Sequence, residues 1–178
     1  MTRSGRSRRS LTLATFALGA AGCSHPAVGP TGGDALRTDR TEYVADRSGG
    51  GVALEIALTF TNPTGGPVNI PSCHEPYAPL LEKLVGDAWV TAYAPPQLLC
   101  LGVPVVVPAG GTLPYRFRIE GFPRGSNSFP QFEVQDVPGT YRLVWHIFEG
   151  DGSGYATGGP AAELPLEQRV SNTFRITE

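Results

Sequence analysis

The sequence predicts an all-β chain folded as an antiparallel β-sandwich of about seven to eight strands, and three observations carry that expectation. Apolar residues recur at every second position in several segments, the period of a strand with one buried face. Glycine (23 residues) and proline (17) interrupt the chain at short intervals, which suits strands joined by turns. No run of ten or more residues carries apolar side chains at the helical period. Hydrophobic residues make up 40% and charged residues 17% of the 178, enough apolar side chain for a core and too little charge for a disordered chain. That length fits one ordinary domain once the N-terminus is set apart.

Residues 1–22 read as an export signal. Arg3, Arg6, Arg8 and Arg9 precede any acid, and an eleven-residue apolar or small run from Leu11 to Ala21 follows. This is the pattern of a secretory signal peptide, and the run is too short to cross a bilayer comfortably. Its end, Ala20-Ala21-Gly22-Cys23, resembles the lipobox of bacterial lipoproteins, with Ala20 where the box usually has Leu. The resemblance implies cleavage before Cys23 and lipid attachment to it, hence an extracytoplasmic place on the bacterial cell membrane or outer membrane. Ser7-Arg8-Arg9-Ser10-Leu11 also resembles a twin-arginine export core, so both export routes stay open. The plainer alternative for Cys23 is an ordinary thiol in a cleaved segment.

Residues 23–34 are Gly- and Pro-rich with almost no large apolar side chain and read as a tether. A flexible segment of that length reaches about 5–6 Å times the square root of its residue number, a couple of nanometres. Loss of the signal removes four basic residues and no acid, leaving ten against 16, a formal charge of −6. Such a body is ill suited to nucleic acid, whose binding rests on phosphate neutralisation.

Residues 35–178 form the predicted sandwich domain. A first strand is expected over 36–44. Val52, Leu54, Ile56, Leu58 and Phe60 then alternate with Ala53, Glu55, Ala57, Thr59 and Thr61 in the clearest strand of the chain. After the 62–67 turn, a strand begins at Val68, and 80–93 read as a hairpin about Gly86-Asp87. Residues 103–107, interrupted by Pro104, suit a sheet edge, because proline donates no ladder hydrogen bond. Leu113, Tyr115, Phe117 and Ile119 share one face of the next strand. Tyr141, Leu143, Trp145 and Ile147 do so in a strand over 141–148, with Val144, His146 and Phe148 opposite. A last strand spans 173–177. Trp89 and Trp145 are expected in the core.

With Cys23 assigned to lipid, Cys73 and Cys100 remain, an even pair in an oxidising compartment, and one disulfide between them is expected. Closing such a loop stabilises a fold by about 3.6 kcal/mol in the chain-entropy model. The competing reading is a metal or redox site on Cys73-His74-Glu75, whose thiolate, imidazole and carboxylate are all ligand types, but no C-x-x-C accompanies it.

Leu81-Glu82-Lys83-Leu84 before Gly86-Asp87-Ala88-Trp89, a strand ending at Asn62 before its turn, and Val137-Pro138-Gly139-Thr140-Tyr141-Arg142-Leu143 together resemble bacterial immunoglobulin-like domains of secreted and lipid-anchored proteins. The resemblance covers residues 36–176 and implies an immunoglobulin-like sandwich. Residues 136–141 also look like a tyrosine corner, with Leu143 where antibody-type domains place a cysteine. The expected disulfide is therefore not the inter-sheet bridge of antibodies. These families share no catalytic activity, so the resemblance implies a fold without a reaction.

Catalytic signatures are sparse. The sequence has no G-x-S-x-G and no H-E-x-x-H, and its three histidines are His25, His74 and His146. Glu149 and Asp151 sit in a Gly-rich loop as solvated acids, without the ligand series of an EF-hand. The expectation is no catalytic residue, no metal and no cofactor: a non-enzymatic module, binding or structural, anchored through Cys23, with an envelope protein or glycan as partner and no nucleic acid. Candidate contact loops are 72–79, 93–101, 121–131 and 149–160. The alternative is a protease-inhibitor-like domain presenting the disulfide-braced loop around Pro95-Pro96-Gln97.

Overall fold

The computed structural model describes residues 33–97, 102–153 and 161–178. The signal segment, most of the tether including Cys23, and residues 98–101 and 154–160 lie outside the described residues. In chain order the elements are β1 (Leu36–Thr38), β2 (Glu42–Val44), β3 (Val52–Thr61), β4 (Val68–Ile70), β5 (Leu80–Val85), β6 (Ala88–Tyr93), β7 (Val105–Val107), β8 (Thr112–Gly121), β9 (Gly139–Val144), β10 (Phe148–Glu149), α1 (Leu166–Arg169) and β11 (Phe174–Thr177).

The protein is an all-β sandwich. Its longest ladder is antiparallel, β3 against β8, running from Val52↔Gly121 to Thr61↔Thr112. Val52, Leu54, Ile56, Leu58 and Phe60 are all buried, as the period-two pattern requires. Strand β1 joins the other side of β3, giving a sheet of order β1-β3-β8. The facing sheet has the order β2-β11-β9-β5-β6 and supplies Tyr43, Leu81, Tyr93, Tyr141, Leu143, Phe174 and Ile176 to the same core. All its pairings are antiparallel except β2 with β11, so strands from the two ends of the domain lie side by side. A small third sheet, β10-β4-β7, sits beside them. No helix among the described residues is long and apolar enough to cross a membrane.

Eleven strands are described, more than the seven to eight expected, because two expected strands are divided between sheets and the third sheet is built of short pieces. The first strand breaks at Asp39. Leu36 and Tyr43 are seven positions apart, so a continuous strand would point them to opposite faces; crossing from one sheet to the other lets both reach the core. The strand expected over 141–148 ends at Val144. There the Trp145 amide donates to the Arg169 carbonyl and the Leu164 amide to the Ile147 carbonyl, which draws the chain away from β5 and carries Phe148 into the third sheet. His146 is consequently half-buried on a connecting segment and not on a strand face.

Candidate functional site

Two turns and a corner fix the sandwich locally. Buried Asn62 donates from Nδ2 to the carbonyls of Gly66, Val107 and Pro108 and accepts at Oδ1 from the amide and hydroxyl of Thr64. It thereby ties the turn after β3 to the turn before β8. The Tyr141 hydroxyl donates to the Val137 carbonyl, the tyrosine corner expected from the sequence, and burial pushes that phenol well above its ordinary range.

Around the third sheet, three chain segments distant in sequence converge. Residues 71–79 fold over Trp145, whose Nε1 donates to the Tyr77 carbonyl at 2.5 Å, while the Tyr115 hydroxyl reaches the Pro76 carbonyl at 3.4 Å. Residues 102–104 lie against 72–73: Ser72 Oγ donates to the Val103 carbonyl, and a Cβ on Gly102 would press into the Ser72 and Cys73 carbonyl oxygens. Residues 149–153 close over β4, where Asn69 Nδ2 faces the carbonyls of Phe148, Glu149 and Gly150 and the Gly150 amide donates to Pro67. Asp151 accepts from the Ser153 hydroxyl and amide, which hold its carboxyl below the usual range. Two of the four candidate contact loops, 72–79 and the described part of 149–160, thus share one region, whereas 121–131 lies at the far end of the β3–β8 ladder, where Tyr93, the start of the 93–101 loop, donates to the Glu120 carbonyl and packs on Phe132.

Three titratable groups near this region pair with one another. Glu163 is shared between His146 Nδ1, at 2.6 Å, and Arg169 Nη2, at 2.9 Å, while Arg169 Nε donates to the Leu164 carbonyl. The carboxylate orients the imidazole. Among the described residues no group of three or more His, Cys, Asp or Glu side chains gathers in metal-binding fashion. Cys73 stands beside exposed His74 and Glu75 in the 71–79 segment; its expected partner Cys100 and the lipid site Cys23 lie outside the described residues. An open concavity of about 570 Å³ lies on the outer face of the β1-β3-β8 sheet, between Arg37 and Arg116 with Ala57 and Thr59 beneath. Both arginines are already paired, Arg37 with Asp34 and Arg116 with Glu55, and Arg116 holds the Glu55 carboxyl low.

Trp145 is buried as expected, but Trp89 is not in the core. Trp89 and Tyr93 would share a face in a regular strand. A bulge between Leu81 and Glu82 leaves Ala92 as the extra residue of β6, and beyond it the parity reverses, so Tyr93 points inward and Trp89 pairs with Leu84 on the outer face. There it meets Arg142, whose Nε donates to Glu82 at 2.7 Å. Nothing in the residue pattern announces that bulge, nor the bonds that join Glu163 to His146. The Glu82–Arg142 pair was accessible, since both lie on outward positions of alternating strands.

No family model matches the chain, and no curated protein matches it.

Proposed function

We propose that this chain is a lipid-anchored, extracytoplasmic, immunoglobulin-like module that binds a protein or glycan of the bacterial cell envelope and catalyses no reaction. The convergence of 71–79, 102–104 and 149–153 on one region, each pinned by hydrogen bonds to the sandwich, carries the reading. Loops held in one shape on a rigid scaffold lose little conformational freedom on binding, the property recognition needs. Anchoring is supported by the Ser7 to Pro26 stretch, with its paired arginines, apolar run and Cys23. The immunoglobulin-like assignment is supported by the tyrosine corner at Tyr141 and by Asn62 closing its turn.

A disulfide between Cys73 and Cys100 belongs to the same reading. Gly102, two residues beyond Cys100 in the sequence, runs against the backbone of Cys73, which supports that pairing.

Fractionation of producing cells tests the anchor. The intact protein is expected in the membrane fraction with the mass of a lipidated chain beginning at Cys23, and Cys23→Ala is expected in the soluble fraction. An unmodified Cys23, or a Cys23→Ala protein that stays with the membrane, overturns the localisation. Retention on purified cell-wall material, against cross-linking to one envelope protein, separates a glycan from a protein partner; neither result with either probe removes the binding function.

A further inference from the structure

We infer that the loop between β8 and β9, residues 121–131, is a preformed docking element, with Phe129 the anchor for an apolar pocket on a partner protein and Arg124 the contact for a carboxylate at that pocket's rim. This rests on the binding-module reading above and goes beyond it by naming the face, the residues and the partner's chemistry.

Phe129 is 79% exposed, an aromatic ring held in water while Phe60, Phe117, Phe132 and Phe174 are buried. Exposure of this kind on a wandering loop would mean little, but this loop is closed on itself. At its base the Phe122 amide donates to the Pro130 carbonyl and the Phe132 amide to the Phe122 carbonyl, at 2.8 and 2.9 Å. The Gln131 side chain spans the interior, accepting from the Gly125 amide at 3.0 Å and donating to the Ser126 and Ser128 carbonyls at 2.6 and 3.1 Å. Ser126 and Ser128 bond each other across the tip. The ring is therefore displayed in one geometry at small entropic cost on binding.

Charge gives the partner's character. The described residues include nine arginines, of which seven form ion pairs with carboxylates of this chain; Arg124 and Arg175 do not. Arg124 is exposed and is the one charged residue of the 121–131 loop, in a domain whose ten basic residues face 15 acids, a formal charge of −5. An unpaired guanidinium a few residues from an unburied ring, among Ser, Gly and Asn, matches the composition of protein-binding loops, whose energetic centres are aromatic and arginine side chains. The loop also leaves the β3–β8 ladder at Gly121, whereas the chain enters at the other end, where Ala35 bonds Thr61. Ten ladder residues hold the two about 30 Å apart, so the loop lies at the opposite end of that ladder from Ala35.

The test places a photoreactive phenylalanine analogue at position 129 of the full-length protein in producing cells, with the same analogue at Tyr77, Asp151 and Val106 as comparison sites. A single adduct from position 129 is expected, of a mass matching one other protein and absent from Val106. That protein, purified, is then titrated with the soluble domain. Phe129→Ala and Arg124→Glu should each weaken binding by about tenfold or more. A partner carboxylate changed to lysine should restore the Arg124→Glu variant. Gln131→Ala, which keeps both contact residues and frees the loop, should weaken binding less and mainly through slower association. All three variants should melt like the parent. An adduct of twice the chain's own mass, an adduct to lipid, or unchanged affinity in Phe129→Ala overturns the inference. Adducts from Tyr77 or Asp151 alone leave the module reading standing and remove this one; no adduct at any site removes both.

Discussion

The guanidinium of Arg142 lies over the ring of Trp89, 4.4 Å from its centroid, on the outer face of the five-stranded sheet. Alternation along β9 sends Tyr141 and Leu143 into the core and Arg142 the other way, directly across the ladder from Glu82. The arginine side chain keeps only 7% of its exposure, and its Nη1, like Trp89 Nε1, has no hydrogen-bond partner. A buried cation with one orphan nitrogen depends heavily on its one carboxylate, since desolvation is offset only through that contact and the ring face.

Glu82→Ala should therefore destabilise the domain by about 3 kcal/mol, the scale for stranding one member of a buried pair. The urea midpoint, at unchanged slope, measures it. Replacing both residues by apolar ones, Glu82→Leu with Arg142→Met, should recover most of the loss, because no charge is then left buried. A Glu82→Ala midpoint within experimental scatter of the parent would show that the pair is solvated and idle.

Tyrosine ionisation predicts an alkaline limit. Burial, and then the hydrogen bond to Asp39, push the Tyr43 phenol from 10.0 up to about 12, and burial raises Tyr93, Tyr115 and Tyr141 as well. A phenol whose folded pKa exceeds its unfolded value favours folding while protonated. That stability is intact below pH 10 and drains away as pH climbs toward 12. The ultraviolet tyrosinate signal should accordingly rise late and together with loss of the circular-dichroism spectrum of the fold. Tyr43→Phe, which has no proton to lose, should move the alkaline transition upward; independent, early titration of every tyrosine would contradict the buried placement.

Much of this architecture was readable in advance. Val52 to Phe60 at spacing two, Gly86-Asp87 between two apolar runs and Tyr141 after Pro-Gly each impose a local geometry that survives in the fold, and Gly86 does take the left-handed φ of +60° that its turn needs. What escaped was decided by pairing between distant segments. The bulge that turns Trp89 outward, the crossing at Asp39 and the capture of Trp145 by the segment before β11 depend on which strand lies alongside, and residue alternation carries no record of that. The candidate site was legible only as loops. That two of them, 72–79 and the one beginning at Glu149, meet around Asn69 and Trp145, leaving 121–131 apart, follows from the third sheet, whose two- and three-residue strands are too short to leave a pattern.

Asn62→Ala should cost about 2 kcal/mol or more, since the carbonyls of Gly66, Val107 and Pro108 would lose a shared donor and Val107 is buried. Asn62→Asp should be worse than Ala near neutral pH: its carboxylate would face three carbonyl oxygens where an amide now donates. Thermal unfolding of the two variants orders them, and an aspartate variant as stable as the parent would mean that the turn re-forms without the amide.

Gly102 offers a test of the 73–100 link that does not begin with a cysteine. Any side chain there must displace the Ser72 and Cys73 backbone, because its Cβ would meet their carbonyl oxygens. If the link exists, Gly102→Val strains it, and the oxidised variant should be reduced by a lower dithiothreitol concentration than the parent. Cys73→Ser should lower stability by about 3 kcal/mol relative to the oxidised parent and by nothing relative to the reduced one. Intact mass with and without alkylation reads the bond directly: the parent should take up no label until reduced and then two, on Cys73 and Cys100. Two labels before reduction would leave both thiols free, and the proximity of 102 to 73 would then be plain backbone packing.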